Sequence, residues 1–126
     1  MDYIEYTVKV YADGSKEWYL NGKRHREDGP AIERADGSKS WWLDGKCHRE
    51  DGPAVEYANG DKGWWRDGSL HREDGPAIEW ATGGKEWYLN GKYMTEAEHA
   101  AATKPAKELT VAEIEALLGY CVKVVK

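Results

Sequence analysis

The chain has 126 residues, a net charge of −5, and seven Trp and eight Tyr with no Phe. That length fits one domain, and the aromatic residues stand in for a sparse aliphatic supply, each bringing an N–H or O–H that needs a partner. The acidic balance excludes a general binder of duplex nucleic acid, whose affinity comes from clustered Lys and Arg, and no continuous apolar run suggests a membrane span.

Residues 1–11, MDYIEYTVKVY, alternate polar and apolar side chains and read as a strand rather than a leader peptide. As an uncapped edge, residues 3–11 are open to pairing with a second copy, so a homodimer is one expectation. Beyond them the chain repeats every 23 residues. His25, His48 and His71 each open HREDGPA, while Trp18, Trp41, Trp64 and Trp87 keep the same step, each followed four residues later by Gly22, Gly45, Gly68 or Gly91. Within a unit, residues 30–35 and 38–43 read as strands around Asp36-Gly37, taken as a two-residue hairpin turn with positive backbone angles. Asp44-Gly45 supplies a second turn. Glu50-Asp51-Gly52-Pro53 then interrupts pairing, with Gly read as tolerating a sharp reversal and Pro as withholding a ladder donor. The predicted fold is mainly β, an elongated antiparallel meander of repeated hairpins over residues 1–93.

Successive strand residues face opposite ways. Trp18, Trp41, Trp64 and Trp87 therefore line one face, assigned to structural packing because Trp fills every copy. Tyr19, Trp42, Trp65 and Tyr88 line the other, assigned to the wetter face, and Ile32, Val55 and Ile78 add an aliphatic column on a face left open. Residues 94–126 depart from the repeat. Thr95 with Glu98, and Thr110 with Glu113, have capping-box spacing before two short helices separated by Pro105. Ile114, Leu117 and Leu118 form the stripe of the second helix, which ends at Gly119. His99 is expected on an exposed helical surface. The final YCVKVVK has strand composition, so this segment reads as a helical cap with a terminal strand that protects the last repeat.

The Trp18, Gly22, His25 spacing and the 23-residue step resemble MORN-type repeats, whose units are β-hairpins stacked into an elongated sheet. The fuller phrase DGxKxWWxxGKxHREDGPA is similar to a variant in small proteins of tailed bacteriophages, bacteria and giant viruses, and LTVAEIEALLGYCVKVVK looks like an ending common among small phage proteins. The resemblance covers about residues 8–93. It implies a non-catalytic module and, in a phage setting, interference with a host protein or a signalling nucleotide.

The HRED block admits three readings. Structurally, stacked repeats place His25, His48 and His71 in one column beside Asp28, Asp51 and Asp74, with Arg26 expected to pair with Glu50 or Asp51 of the next repeat, so that the block fixes register. Catalytically, Glu27/Asp28, Glu50/Asp51 and Glu73/Asp74 are carboxylate pairs of the kind hydrolases use, but three equal copies suit a repeating structure better than one active site. Metal ligation lacks the tight Cys/His spacing of zinc and the dense oxygen pattern of calcium. Cys47 and Cys121 stand far apart outside any ligand motif, which predicts a reduced cytoplasmic setting, host cytoplasm if phage-encoded, and no cofactor.

Two binding expectations follow. The first is a protein partner, such as a host anti-phage defence protein, held by Tyr19, Trp42, Trp65 and Tyr88 with Arg26, Arg49 and Arg72, a Trp/Tyr/Arg composition typical of interface hot spots. The second is a nucleotide sponge in which the same indoles stack on bases and the arginines meet phosphates.

Overall fold

The computed structural model describes residues 4–104 and 109–119. An edge strand, β1 (Thr7–Val10), pairs with β2 (Lys16–Leu20), which also carries the short β3 (Lys23–Arg24). The repeats then add β4 (Ile32–Glu33) with β5 (Lys39–Ser40), β8 (Val55–Glu56) with β9 (Lys62–Gly63), and β12 (Ile78–Glu79) with β13 (Lys85–Leu89). Together with β14 (Lys92–Met94) they form one ten-stranded antiparallel sheet in the order β1-β2-β4-β5-β8-β9-β12-β13-β14, with β3 beside β2. Two further hairpins stand outside it: β6 (Trp42–Leu43) with β7 (Lys46–Cys47), and β10 (Trp65–Arg66) with β11 (Ser69–Leu70). The mainly β meander is thus the observed architecture.

The regular strands are shorter than the hydrophobic pattern suggests, because each changes partner halfway. Trp41 sends its N–H to Ala54 O at 2.8 Å and accepts from His48 N–H at 3.0 Å, so residues 39–40 serve the large sheet while residues 42–43 serve the small hairpin. The two turn types also differ from the expectation. Only Gly37 has positive φ at the first turn, Gly37 N–H bonds Arg34 O, and Arg34 N–H bonds Ser38 O. This is a three-residue loop over residues 35–37, closing on a left-handed glycine, not a two-residue turn at Asp36-Gly37. The two-residue form occurs at the second turn, where Asp44 and Gly45 take φ of 48° and 78°.

Register is fixed by charge as well as by backbone. Across the sheet the directly opposed residues run Lys16, Glu33, Lys39, Glu56, Lys62, Glu79, Lys85, alternating in sign at every step. Each such cross-strand pair contributes roughly 0.2–1 kcal/mol, and a slip of one residue would oppose the wrong faces. The core is correspondingly thin. Among the described residues Ala31, Ala54 and Ala77 are fully buried, followed by Ile32 and Cys47, and no large side chain is fully enclosed.

Two helices follow, α1 (Glu96–Thr103) and α2 (Val111–Leu118), each opened by its capping box at Thr95/Glu98 and Thr110/Glu113. Gly119 closes α2 in the left-handed conformation, its N–H on Glu115 O. Helix α1 packs on β13 and β14. His99 lies in that contact: it is buried, and its Nε2 donates to Arg72 O, so the expected exposed surface position is corrected to an anchor for the last repeat. In α2, Ile114 is half-buried and Leu117 and Leu118 are exposed. The Pro105 separator and the proposed terminal strand lie outside the described residues. Among those described, no helix is long and apolar enough to cross a membrane.

Candidate functional site

The HRED blocks repeat one construction three times. The Arg49 guanidinium lies over the Trp41 ring at 3.9 Å, donates through Nε to Asp51 at 3.1 Å and through an Nη to Pro53 O at 3.0 Å, and reaches Glu56 at 3.5 Å. Arg26 does the same with Trp18, Asp28, Pro30 O and Glu33, and Arg72 with Trp64, Asp74, Pro76 O and Glu79. A planar cation that stacks and donates from several N–H groups at once meets all these demands, where a lysine would meet one. Each arginine therefore pairs within its own repeat, which corrects the expected Arg26 contact with Glu50 or Asp51. The glycine of the block is explained by the same packing. A Cβ on Gly52 would sit 3.1 Å from Arg49 Cζ, so this glycine makes room for the guanidinium and has no positive φ.

The histidines join one repeat to the next. His25 Nδ1 accepts the Asp44 N–H at 2.9 Å, His48 the Asp67 N–H at 3.0 Å, and His71 the Asn90 N–H at 2.9 Å. An accepting Nδ1 places the ring proton on Nε2, which faces the block's own glutamate: Glu27 at 3.4 Å, Glu50 at 3.5 Å and Glu73 at 3.3 Å.

Clefts of about 740 Å³ and 470 Å³ separate consecutive blocks, lined among others by Glu27, Asp28, Glu50 and Asp51 in the first and Glu50, Asp51, Glu73 and Asp74 in the second. The carboxylates there are each tied to a neighbouring cation or ring nitrogen. The Arg72 hydrogen bond holds the Asp74 carboxyl below the usual range, a state suited to a permanent anion rather than a general acid. Among the described residues no group of three or more His, Cys, Asp or Glu is placed to hold a metal ion.

The opposite face is less occupied. Trp42 Nε1 donates to Ser40 Oγ at 2.8 Å, which puts residues 40 and 42 on one side, away from the Trp41 and Arg49 stack. Ile32, Val55 and Ile78 belong to this side, opposing Ser40 and Gly63 in the register. Both aromatic columns are half-buried, so the division into a packed and a wetter column lies in what covers them and not in exposure. Arginine covers Trp18, Trp41 and Trp64 in the same way each time, whereas among the described residues the other column meets a different neighbour in each repeat, Lys9 over Tyr19, Arg24 over Trp42 and Tyr93 at the edge of Tyr88.

At the N-terminal end of this open face the buried Glu17 accepts from Tyr19 OH at 2.7 Å and Tyr11 OH at 3.1 Å, with Arg34 at 3.6 Å and Arg24 at 4.0 Å. The tyrosine bonds and then the two guanidinium groups lower its pKa against the cost of burial, and the same bond to Glu17 raises the pKa of Tyr11. Further along, the repeat position filled by Ser40 is Gly63. There the Trp65 indole closes down on the backbone, its Nε1 3.0 Å from where a Cβ would stand. Beside it a pocket of about 160 Å³ lies between the rings of Tyr57, Trp65 and Trp80 over Val55, Leu70 and Ile78, the counterpart of a cleft of about 260 Å³ around Ser40 one repeat earlier. Trp80 is fixed by Nε1 donating to Glu86 at 2.8 Å, and Trp80 and Tyr57 are exposed.

The residues expected to bind together are thus separated. Arg26, Arg49 and Arg72 stack on one face, and Tyr19, Trp42, Trp65 and Tyr88 lie on the other. The arginines that share the open face are Arg24, stacked over Trp42 at 5.3 Å, and Arg34. Sequence reasoning passed over these two, and Tyr57, Trp80 and Gly63, because none keeps its identity from one repeat to the next. The signal was present as the breaks in the columns 24/47/70/93, 34/57/80 and 17/40/63/86. Compared with family models, curated proteins and solved structures, the chain matches none.

Proposed function

We propose that this chain is a non-catalytic repeat module that binds a protein through its open face, with the Gly63 pocket receiving one large apolar side chain of the partner. The pocket carries the reading: three aromatic walls, an aliphatic floor and a volume of about 160 Å³ suit a Leu, Met or Phe side chain. Burying such a side chain contributes roughly 1.5–3 kcal/mol, the scale of an interface hot spot. The partner we propose, from the resemblance of the repeat phrase alone, is a host defence protein in the cytoplasm. The triplicate HRED blocks support a structural role, since their charged groups hold one another.

The test is a single substitution. Gly63→Ser places a Cβ 3.0 Å from Trp65 Nε1 and so displaces the ring that forms one wall of the pocket. A partner bound by the wild type should be lost from Gly63→Ser and from Trp42→Ala/Trp65→Ala, both with unchanged circular dichroism. Equal binding by all three would refute the reading.

One observation favours a second reading, a nucleotide ligand. Arg24 and Arg34 meet Trp42 and Tyr57 in a cleft of about 260 Å³, combining rings for a base with cations for phosphate. This reading requires Trp fluorescence quenching by a nucleotide and its loss in Arg24→Ala, with Gly63→Ser unaffected.

A further inference from the structure

We propose that the chain forms a symmetric dimer through the free edge of β1, independently of what the open face binds. Stepping back 23 residues from Pro30, Ala31 and Ile32 gives Thr7, Val8 and Lys9, so β1 is the first strand of the same repeat. In β4, β8 and β12 the block's Pro precedes a strand of two residues; with Thr7 in its place β1 runs for four. Proline on an edge strand is a usual guard against strand addition, and the strand at the sheet's edge is the one without it. The far end of the array is occupied by α1, whereas among the described residues nothing pairs with the outer side of β1. Ile4, Val8 and Val10 are 63%, 43% and 66% exposed there.

The backbone decides which residues offer bonds. Trp18 sends its N–H to Ala31 on the inner side of β2, so by ladder alternation Glu17 and Tyr19 exchange bonds with Lys9 and Thr7. Tyr11 N–H on Ser15 O continues that phase. The N–H and C=O groups of Tyr6, Val8 and Val10 consequently point outward, ready for another strand.

A second copy fits this edge in a particular register. Centred on Thr7 opposite Thr7, an antiparallel pair sets Tyr6 against Val8, Ile4 against Val10, and Glu5 against Lys9, each twice by symmetry. The outward-facing residues meet one another, the apolar side chains share one face, and the charges are opposite. About eight backbone hydrogen bonds would form. Glu5 makes no ion pair among the described residues, and Lys9 lies over the Tyr19 ring on the open face, so the Glu5–Lys9 pairs place both open faces on the same side of one continuous sheet. The interface is isologous, as a twofold axis requires.

Sedimentation equilibrium of the full chain tests this. The wild type should show a concentration-dependent mass rising to twice the 14.3 kDa of one chain. Val8→Pro removes an outward N–H without touching a β1–β2 bond, and should give a monomer with an unchanged far-ultraviolet spectrum. Glu5→Lys and Lys9→Glu should each weaken self-association roughly tenfold, and an equimolar mixture of the two should recover wild-type association, because only the mixed pair restores opposite charges. A wild type that stays monomeric at millimolar concentration overturns the proposal. So does a dimer that survives Val8→Pro, or a mixture no stronger than its separate components.

Discussion

Arg49 shows how much one side chain can order. Its guanidinium is at once a lid on Trp41, a donor to Asp51 and to Pro53 O, and an ion partner of Glu56. Lysine keeps the charge and loses the plane, so Arg49→Lys should destabilise the protein by about 1–2 kcal/mol, read as a lower urea midpoint at constant slope. Glu17 tests the electrostatics of the open face. Its folded pKa lies below the ordinary carboxylate value, mainly through Tyr19 and Tyr11, with Arg24 and Arg34 assisting. Its stabilisation is therefore present above the unfolded pKa and is lost as pH falls through the lowered folded one. Glu17→Gln should melt lower than wild type at pH 7, and the gap should close on acidification below the normal carboxylate range. A gap that stayed constant to pH 2 would contradict the assigned charge.

At the scale of elements, the bond from an Asp or Asn N–H to a histidine Nδ1 recurs between consecutive hairpins with the same 19-residue offset. It satisfies a donor in a turn whose backbone is already constrained, at φ of 48° for Asp67. What His48 supplies is an acceptor at a fixed reach, and the Asn Oδ1 occupies a position close to that of Nδ1. His48→Ala should lose about 1–2 kcal/mol and His48→Asn distinctly less, compared by thermal denaturation. Hairpins, capping boxes and the two aromatic faces were legible in the sequence because glycine placement and alternation are local properties. The loop at residues 35–37 was misread since Asp-Gly suits both turn types, and the choice between them depends on whether Arg34 pairs with Ser38. His99 was misread because a lone histidine in an Ala-rich helix carries no sign of the Arg72 carbonyl it meets 27 residues away.

For the whole molecule, periodicity made the scaffold readable and concealed the candidate site, since the same cleft recurs beside Ser40 and Gly63 and the second differs in being walled by Tyr57 and Trp80 where the first has Arg34 and Tyr57. Scaffold and site therefore separate in a deletion. Removing residues 36–58 joins Ala35 to Asn59, the equivalent of Asp36 one repeat on, and leaves every remaining hairpin with a sequence-matched neighbour. In a quasi-one-dimensional array each unit contacts only its neighbours, so the shortened chain should fold with the same far-ultraviolet spectrum and a single transition. Its denaturant slope should fall by about a fifth, in proportion to the surface removed. Trp65, Gly63 and Trp80 survive the deletion, but Ile32 and Arg34 replace Val55 and Tyr57 beside them, so one aromatic wall becomes a flexible cation. An apolar anchor should then bind at least tenfold more weakly, and restoring the wall with Arg34→Tyr should recover most of the loss. A deletion that abolished folding would show that the hairpins are not interchangeable, whereas one that folded and bound at full strength would move the site away from the Gly63 pocket.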